Sequence, residues 1–201
     1  AQGVAKGLQD NSIDITCITR PGAPWDISDF KSDSDVKIEN AVDNVRYIKI
    51  ADPSRTEFAG MEYINRSIPA IRQKILDFNP DCIMAASNYL TAYPAMMASK
   101  ECNIPFIYEV RGFWEITRIS RDPEFYYTLN MYDLEWSETF TAQNSDHVFT
   151  LTTPMKYELT RRGIDPKKIT LAPNSCNNNE FNPDLQKNQR LAAMYNISSE
   201  T

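Results

Sequence analysis

Residues 106–115 read Phe-Ile-Tyr-Glu-Val-Arg-Gly-Phe-Trp-Glu. An apolar run opens the stretch and stops abruptly at an arginine and a glycine, and Asn103-Ile104-Pro105 punctuates the chain just before it. Short apolar runs bounded by turn residues mark strands of a parallel sheet, which are covered on both faces. The same pattern recurs at 81–86 (Asp-Cys-Ile-Met-Ala-Ala, after Asn79-Pro80), at 148–151 and at 169–171. Alternating apolar residues at 13–19 and 45–50 predict two further strands, with a Pro/Gly loop at 20–26 and polar, exposed surface at 28–44.

Segments of helical period separate these runs. Met61, Ile64, Ile68, Ile71, Ile75 and Phe78 recur at three or four residues and predict one inward face, with a kink or late start at Pro69. Pro94 suits a first helical turn, and that helix is expected to end near Glu101. Residues 111–124 read as a long loop, which in a compact domain is usually functional. A long helix is expected over 125–143, with Leu129, Tyr132, Trp136, Thr139 and Phe140 facing inward. Thr153 is the predicted N-cap of the next helix, Pro154 its first residue, and Gly163 follows its end. A short helix is expected near 184–195. Strands alternating with helices give an α/β class with a doubly wound, mostly parallel sheet.

The chain has 201 residues, enough for one domain with a full core. Its 42% hydrophobic and 24% charged residues are the balance of a folded globular protein. A net charge of -6 gives nucleic acid no electrostatic footing. No window approaches the roughly 20 apolar residues of a membrane span. Cys17, Cys82, Cys102 and Cys176 are scattered without metal-ligand spacing. Cys17 and Cys82, in apolar runs, read as buried thiols, and a reducing cytoplasm is the expected location. His147 is the sole histidine, so this chain offers no multi-histidine metal site.

Open parallel sheets bind ligands outside the carboxyl ends of their strands. That rule singles out Ser87–Tyr89, Arg111–Glu115 and Thr152–Thr153. Arg111 is a natural clamp for phosphate or carboxylate, Gly112 permits close backbone approach, and Arg118 and Arg121 add charge suited to a phosphorylated ligand. The competing reading is that Glu109 and Glu115 simply pair with these arginines. Ser87 and Asn88 leave room for a ligand at a strand end and equally suit the cap of the following helix. Asp133, Glu135 and Glu138 on one helix read as a solvated face, and His147 as structural. Pro173-Asn174-Ser175-Cys176-Asn177 reads as a polar loop. The chain has no Gly-x-Gly-x-x-Gly and no phosphate loop ending in Gly-Lys-Ser/Thr, which sets dehydrogenases and P-loop enzymes aside.

In order along the chain, several segments resemble the family-4 retaining glycosyltransferases of the GT-B fold. They are Cys17-Ile18-Thr19-Arg20-Pro21-Gly22, Ala85-Ala86-Ser87-Asn88, Glu109-Val110-Arg111-Gly112-Phe113-Trp114-Glu115 and Ser120-Arg121-Asp122-Pro123-Glu124, followed by Asp146-His147-Val148, Arg161-Arg162-Gly163-Ile164, Pro173-Asn174 and Phe181-Asn182-Pro183. The likeness is closest to builders of bacterial capsule, exopolysaccharide or lipopolysaccharide. It implies a Rossmann-like acceptor-side domain over 1–183 and the start of a linker and helix over 184–201, with the donor-binding domain outside this chain. The resemblance gives Arg111 the catalytic position, and gives Ser87, Asn88, Gly112, Trp114, Glu115 and Arg118 contacts with substrate. It also implies a nucleotide-sugar donor, a glycan or lipid-linked acceptor, no metal and no cofactor.

The chain departs from the family at Met84, where relatives often carry histidine, and at Arg111, where some relatives place a histidine near the sugar. Ser175 replaces the glycine of a Pro-Asn-Gly motif. Relatives also begin with a strand and a glycine-rich loop, whereas Ala1 to Leu8 already look like the first helix. The expected consequence is a gap in the middle of the sheet, or a partner's strand in a homodimer, and a fragment inactive by itself. Peripheral contact with the inner face of the membrane would fall on Arg118 to Tyr127. Two rivals remain: a non-catalytic binding or scaffold domain, and an epimerase-type α/β enzyme. The second is disfavoured because Tyr126-Tyr127 has no lysine four residues on.

Overall fold

The structure, a computed structural model, describes residues 2–27, 36–176, 184 and 186–197. Phe181-Asn182-Pro183, the boundary at 183 and much of the polar 28–44 stretch lie outside the described residues. Helix α1 (Gln2–Asp10) leads to β1 (Thr16–Ile18), β2 (Glu39–Val42), β3 (Val45–Ile48) and α2 (Gly60–Phe78). Then β4 (Ile83–Ala86), α3 (Tyr89–Glu101), β5 (Phe106–Val110), α4 (Trp114–Ile119) and α5 (Leu129–Gln143) follow. The chain continues through β6 (His147–Thr150), α6 (Thr153–Arg161), β7 (Ile169–Leu171) and α7 (Gln189–Met194).

The expected α/β class is present, and the sheet is in two pieces. One has the order β4-β5-β6-β7 and is parallel throughout. The other has the order β1-β3-β2, with β1 parallel and β2 antiparallel to β3. Among the described residues, β1 and β4 therefore each end a sheet, as the expected gap requires. The two pieces still share one core: Ile50, Ile71 and Ile75 cluster with Ala85, Tyr108, Val148 and Ile169. Those last four stand side by side across the parallel sheet, so one row of one face anchors the domain.

Local chemistry explains where the elements start and stop. Asn79 closes α2 in the left-handed region at φ 45°, its N–H donating to the Ile75 carbonyl. Helix α2 runs unbroken through Pro69 and buries Tyr63, Ile64, Ser67, Ile71 and Ile75, while Met61, expected inside, is exposed. The Asn88 side chain accepts the Leu90 N–H at 3.2 Å and starts α3 at Tyr89, which puts Pro94 inside the helix and not in its first turn. Thr152, one residue earlier than expected, caps α6. Strand β2 lies where the sequence predicts only polar, exposed surface. The turn Asp43-Asn44, with φ of 51° and 64°, has the positive angles of a type I′ hairpin and folds β2 onto β3.

Two larger expectations are corrected. Residues 111–124 are not a plain loop, since they hold α4 and the start of a 3-10 turn at Pro123–Tyr127. Helix α5 packs Phe140 against the core as expected but otherwise turns a different face inward. Leu129 is 81% and Trp136 57% exposed, and Tyr132 is exposed as well, while Met131, Glu138, Thr141 and Ala142 are buried. The Thr141 hydroxyl donates to the Ser137 carbonyl and that of Ser145 to the Thr141 carbonyl, both at 2.7 Å, so polar residues line the interior without an unmet donor. Cys82, expected buried, is exposed, and Cys17 is half-buried.

Candidate functional site

The carboxyl ends of β1, β3, β4 and β5 carry the loops that meet at one end of the sheet. After β1, Arg20 forks onto Asp26 at 2.6 and 2.7 Å, and the backbone N–H of Arg55, in the loop after β3, donates to the same carboxylate at 3.2 Å. Burial works to raise the Asp26 pKa, but the Arg20 fork and the Arg55 N–H together outweigh it and hold the group below its ordinary value. Gly22 closes this loop with φ 83° and donates its N–H to the Ile50 carbonyl at 2.8 Å. A Cβ there would stand 2.8 Å from Asp26 Oδ2 and 2.8 Å from the Pro53 carbonyl oxygen. Neither neighbour is free to yield, because one is backbone and the other is held in a fork. Gly22→Ala is therefore expected to destabilise the domain by roughly 2–3 kcal/mol. A urea midpoint within error of wild type would show that the loop relaxes.

Ser87 ties β4 to β5. Its N–H donates to the Glu109 carbonyl at 2.8 Å, and its hydroxyl accepts the Arg111 N–H at 3.1 Å. Asn88 serves as the α3 cap. The Arg111 guanidinium pairs with Glu109 at 2.6 Å and keeps 34% of its side chain exposed. A Cβ on Gly112 would meet nothing within 4 Å, so its backbone faces open space. Ser87, Asn88, Arg111 and Gly112 thus come together as the sequence suggested, with exposed Trp114 one step beyond.

The other two predicted contacts point elsewhere. Glu115 is 0% exposed and bonds Arg162 at 2.7 Å, with its second oxygen buried and without a partner among the described residues. Arg118 lies 4.0 Å over the Phe125 ring. Pairing of glutamates with arginines, the competing reading, accounts for Glu109 and Arg111. Glu115, however, pairs with an arginine at the far end of α6. Arg162 also bonds Glu158 at 2.8 Å and lies 4.4 Å over the Phe113 ring, so it braces the turn that follows Gly112. His147 bonds Thr170 at 2.9 Å between β6 and β7, in keeping with a structural place.

One functional candidate escaped the sequence. Glu138 is 5% exposed, and its carboxylate accepts the Tyr89 N–H at 2.9 Å and the Tyr108 hydroxyl. Burial, with the Glu115 charge behind it, raises the Glu138 pKa against these bonds, and burial likewise pushes Tyr108 well up. The signal was its spacing from Met131, Thr141 and Ala142, legible only once the inward face of α5 is known. Arg55 is a second addition. It is an exposed cation whose field acts on Tyr89 at the start of α3. With Arg111 and the open backbone at Gly112, the site can receive an anion.

The sequence matches the family model described as Glycosyl transferase 4-like domain over residues 1–175. No curated protein matches it. Among solved structures, sucrose-phosphate synthase from Thermosynechococcus elongatus is similar with a TM-score of 0.56 at 14% identity, over 97% of this chain and 91% of that one. A UDP co-structure of MnaA from S. aureus is similar with a TM-score of 0.51 at 14% identity, over 74% of this chain and 36% of that one. UDP-GlcNAc 2-epimerase from Neisseria meningitidis, bound to UDP-GlcNAc, gives a TM-score of 0.47 at 20% identity, over 62% of this chain and 30% of that one. The chain thus spans about a third of the length of these last two structures. At such identities the likeness is one of fold. No helix among the described residues is long and apolar enough to cross a membrane.

Proposed function

This chain belongs to the glycosyl transferase 4-like domain family, and from that premise we propose that it is the acceptor-side domain of a retaining glycosyltransferase. The whole enzyme moves a hexose from a nucleotide-sugar donor to a polysaccharide or lipid-linked acceptor in the cytoplasm. The observation that carries this reading is the cluster at the ends of β4 and β5: a partly exposed guanidinium, Arg111, beside a backbone left open at Gly112. Leaving-group charge on a nucleotide sugar can be met by fixed cations and N–H groups without a metal. Arg111 would face that charge, and Ser87, Asn88 and Trp114 would shape the acceptor side. Exposed Trp114, Ile116, Tyr126 and Tyr127, with Arg118 among them, support peripheral contact with a membrane carrying the acceptor.

A specific observation favours the scaffold alternative: Glu109 already pairs Arg111 at 2.6 Å, which offsets its charge. The two readings part in one assay. The full-length protein is offered a panel of nucleotide sugars with a membrane glycolipid fraction, and nucleoside diphosphate release is followed together with labelled product. Release coupled to product with retained anomeric configuration supports the transferase. Binding of the acceptor fraction with no turnover for any donor supports the scaffold.

A further inference from the structure

Glu138 has no task in the transfer chemistry above, yet its two oxygens join parts that matter to the site. Oε1 takes the N–H of Tyr89, the first residue of α3 and the neighbour of Ser87 and Asn88. Oε2 takes the hydroxyl of Tyr108, which sits in β5 three residues before Arg111. A single carboxylate on α5 therefore spans the carboxyl end of one strand and the body of the next. The Tyr89–Ala92 amides depend on that end: Leu90 donates to the Asn88 side chain, and Thr91 and Ala92 donate to the Asn88 carbonyl.

We infer that Glu138 is a positioning residue that holds the start of α3 against β5 and so fixes Ser87 and Asn88 relative to Arg111. The effect on transfer rests on the proposed function, whereas the clamp itself does not. Four elements face Glu138: Tyr89 from α3, Tyr108 from β5, Glu115 from α4 and Arg162 from the end of α6. Burial foremost, then Glu115, raises its pKa, so the fold disfavours the ionised form. A carboxyl whose folded pKa lies above its unfolded value gains stability as pH falls through that window. Protonation therefore does not weaken the fold as a whole: the neutral carboxyl still accepts from Tyr89 through its carbonyl oxygen and can donate through its hydroxyl to the Tyr108 oxygen.

The test uses the full-length protein with Glu138→Ala and Glu138→Gln. Glutamine still accepts from Tyr89 with its carbonyl, can donate to the Tyr108 oxygen, and does not titrate. In Glu138→Ala, hydrogen exchange at residues 89–92 should quicken tenfold or more with β6 and β7 unchanged, and kcat/KM should fall about tenfold. Glu138→Gln, which keeps an acceptor for Tyr89 and a donor for the Tyr108 oxygen, should restore both. Unchanged exchange at 89–92 in Glu138→Ala, or equal acceleration across the whole domain, would overturn the inference. If the wild type transfers no sugar, the exchange measurement still decides the clamp, and only the transferase reading falls.

Discussion

Replacing Arg162 with alanine is expected to destabilise the domain by about 3–5 kcal/mol. Its side chain is 4% exposed and meets Glu115, which is wholly buried, at 2.7 Å. A buried ion pair adds little over a well-packed apolar pair, but removing one partner leaves the other charged with nothing near it. Glu115 would bear most of the loss, because its second buried oxygen already lacks a partner among the described residues. Glu158 would suffer less, since Arg161 forks onto it at 2.7 Å and lies on the surface. Bonds from Arg161 and Arg162 hold the Glu158 pKa down to about 2 from an ordinary 4.5. Its contribution is thus fully present above the unfolded value and is lost as pH falls from about 4.5 toward 2. Urea unfolding at neutral pH measures the Arg162→Ala loss, and Glu115→Gln/Arg162→Met should recover much of it. A loss below about 1 kcal/mol, the scale of an exposed pair, would mean that water reaches Glu115 in solution.

The second large effect is expected at Arg111. In the full-length enzyme, Arg111→Ala should lower kcat by about 10²–10³-fold, the usual effect of losing one preorganised group that meets developing charge. Arg111→Lys should recover only part, because an ammonium cannot fork onto two oxygens. The variant has a second consequence, since it strands the buried Glu109 carboxylate that now pairs with Arg111. The double variant Glu109→Gln/Arg111→Ala separates the two effects: stability should return while transfer stays low. Full transfer by Arg111→Ala would remove this residue from the chemistry.

The strands of the larger sheet were legible because parallel strands buried on both faces must be apolar runs, and 81–86, 106–110, 148–151 and 169–171 are such runs. Asn79, Asn88 and Gly163 declared helix ends through their own backbone and capping chemistry. Apart from Phe140, the inward face of α5 was not legible. Its aromatic residues dominate any hydropathy pattern, while its buried stripe includes the small Thr141 and Ala142, and the Thr141 hydroxyl is satisfied within its own helix turn. Glu138 and Glu115 were hidden for a related reason. A carboxylate reads as solvated until the partners that accompany it inside, Tyr108 and Tyr89 for one and Arg162 for the other, are known from the fold. In the candidate site, Ser87, Asn88, Arg111 and Gly112 could be read from the rule of strand ends alone. Arg118 could not be separated from them, because its stacking on Phe125 depends on a 3-10 turn where the sequence predicts the start of a long helix.

The division of the sheet bears on how this domain behaves in a test tube. Strands β1 and β4 each have one hydrogen-bonded neighbour among the described residues, and Ile18 and Met84 on them are exposed. Unlike β2, which carries a charge at Glu39 and reverses direction, these edges have little to discourage another extended chain from docking. Studied alone, the domain should self-associate as its concentration rises, and its apparent melting temperature should drift with loading. Short peptides with alternating apolar residues should act as soluble plugs. Handling it dilute, or with such a plug, becomes a condition for measuring anything else about it.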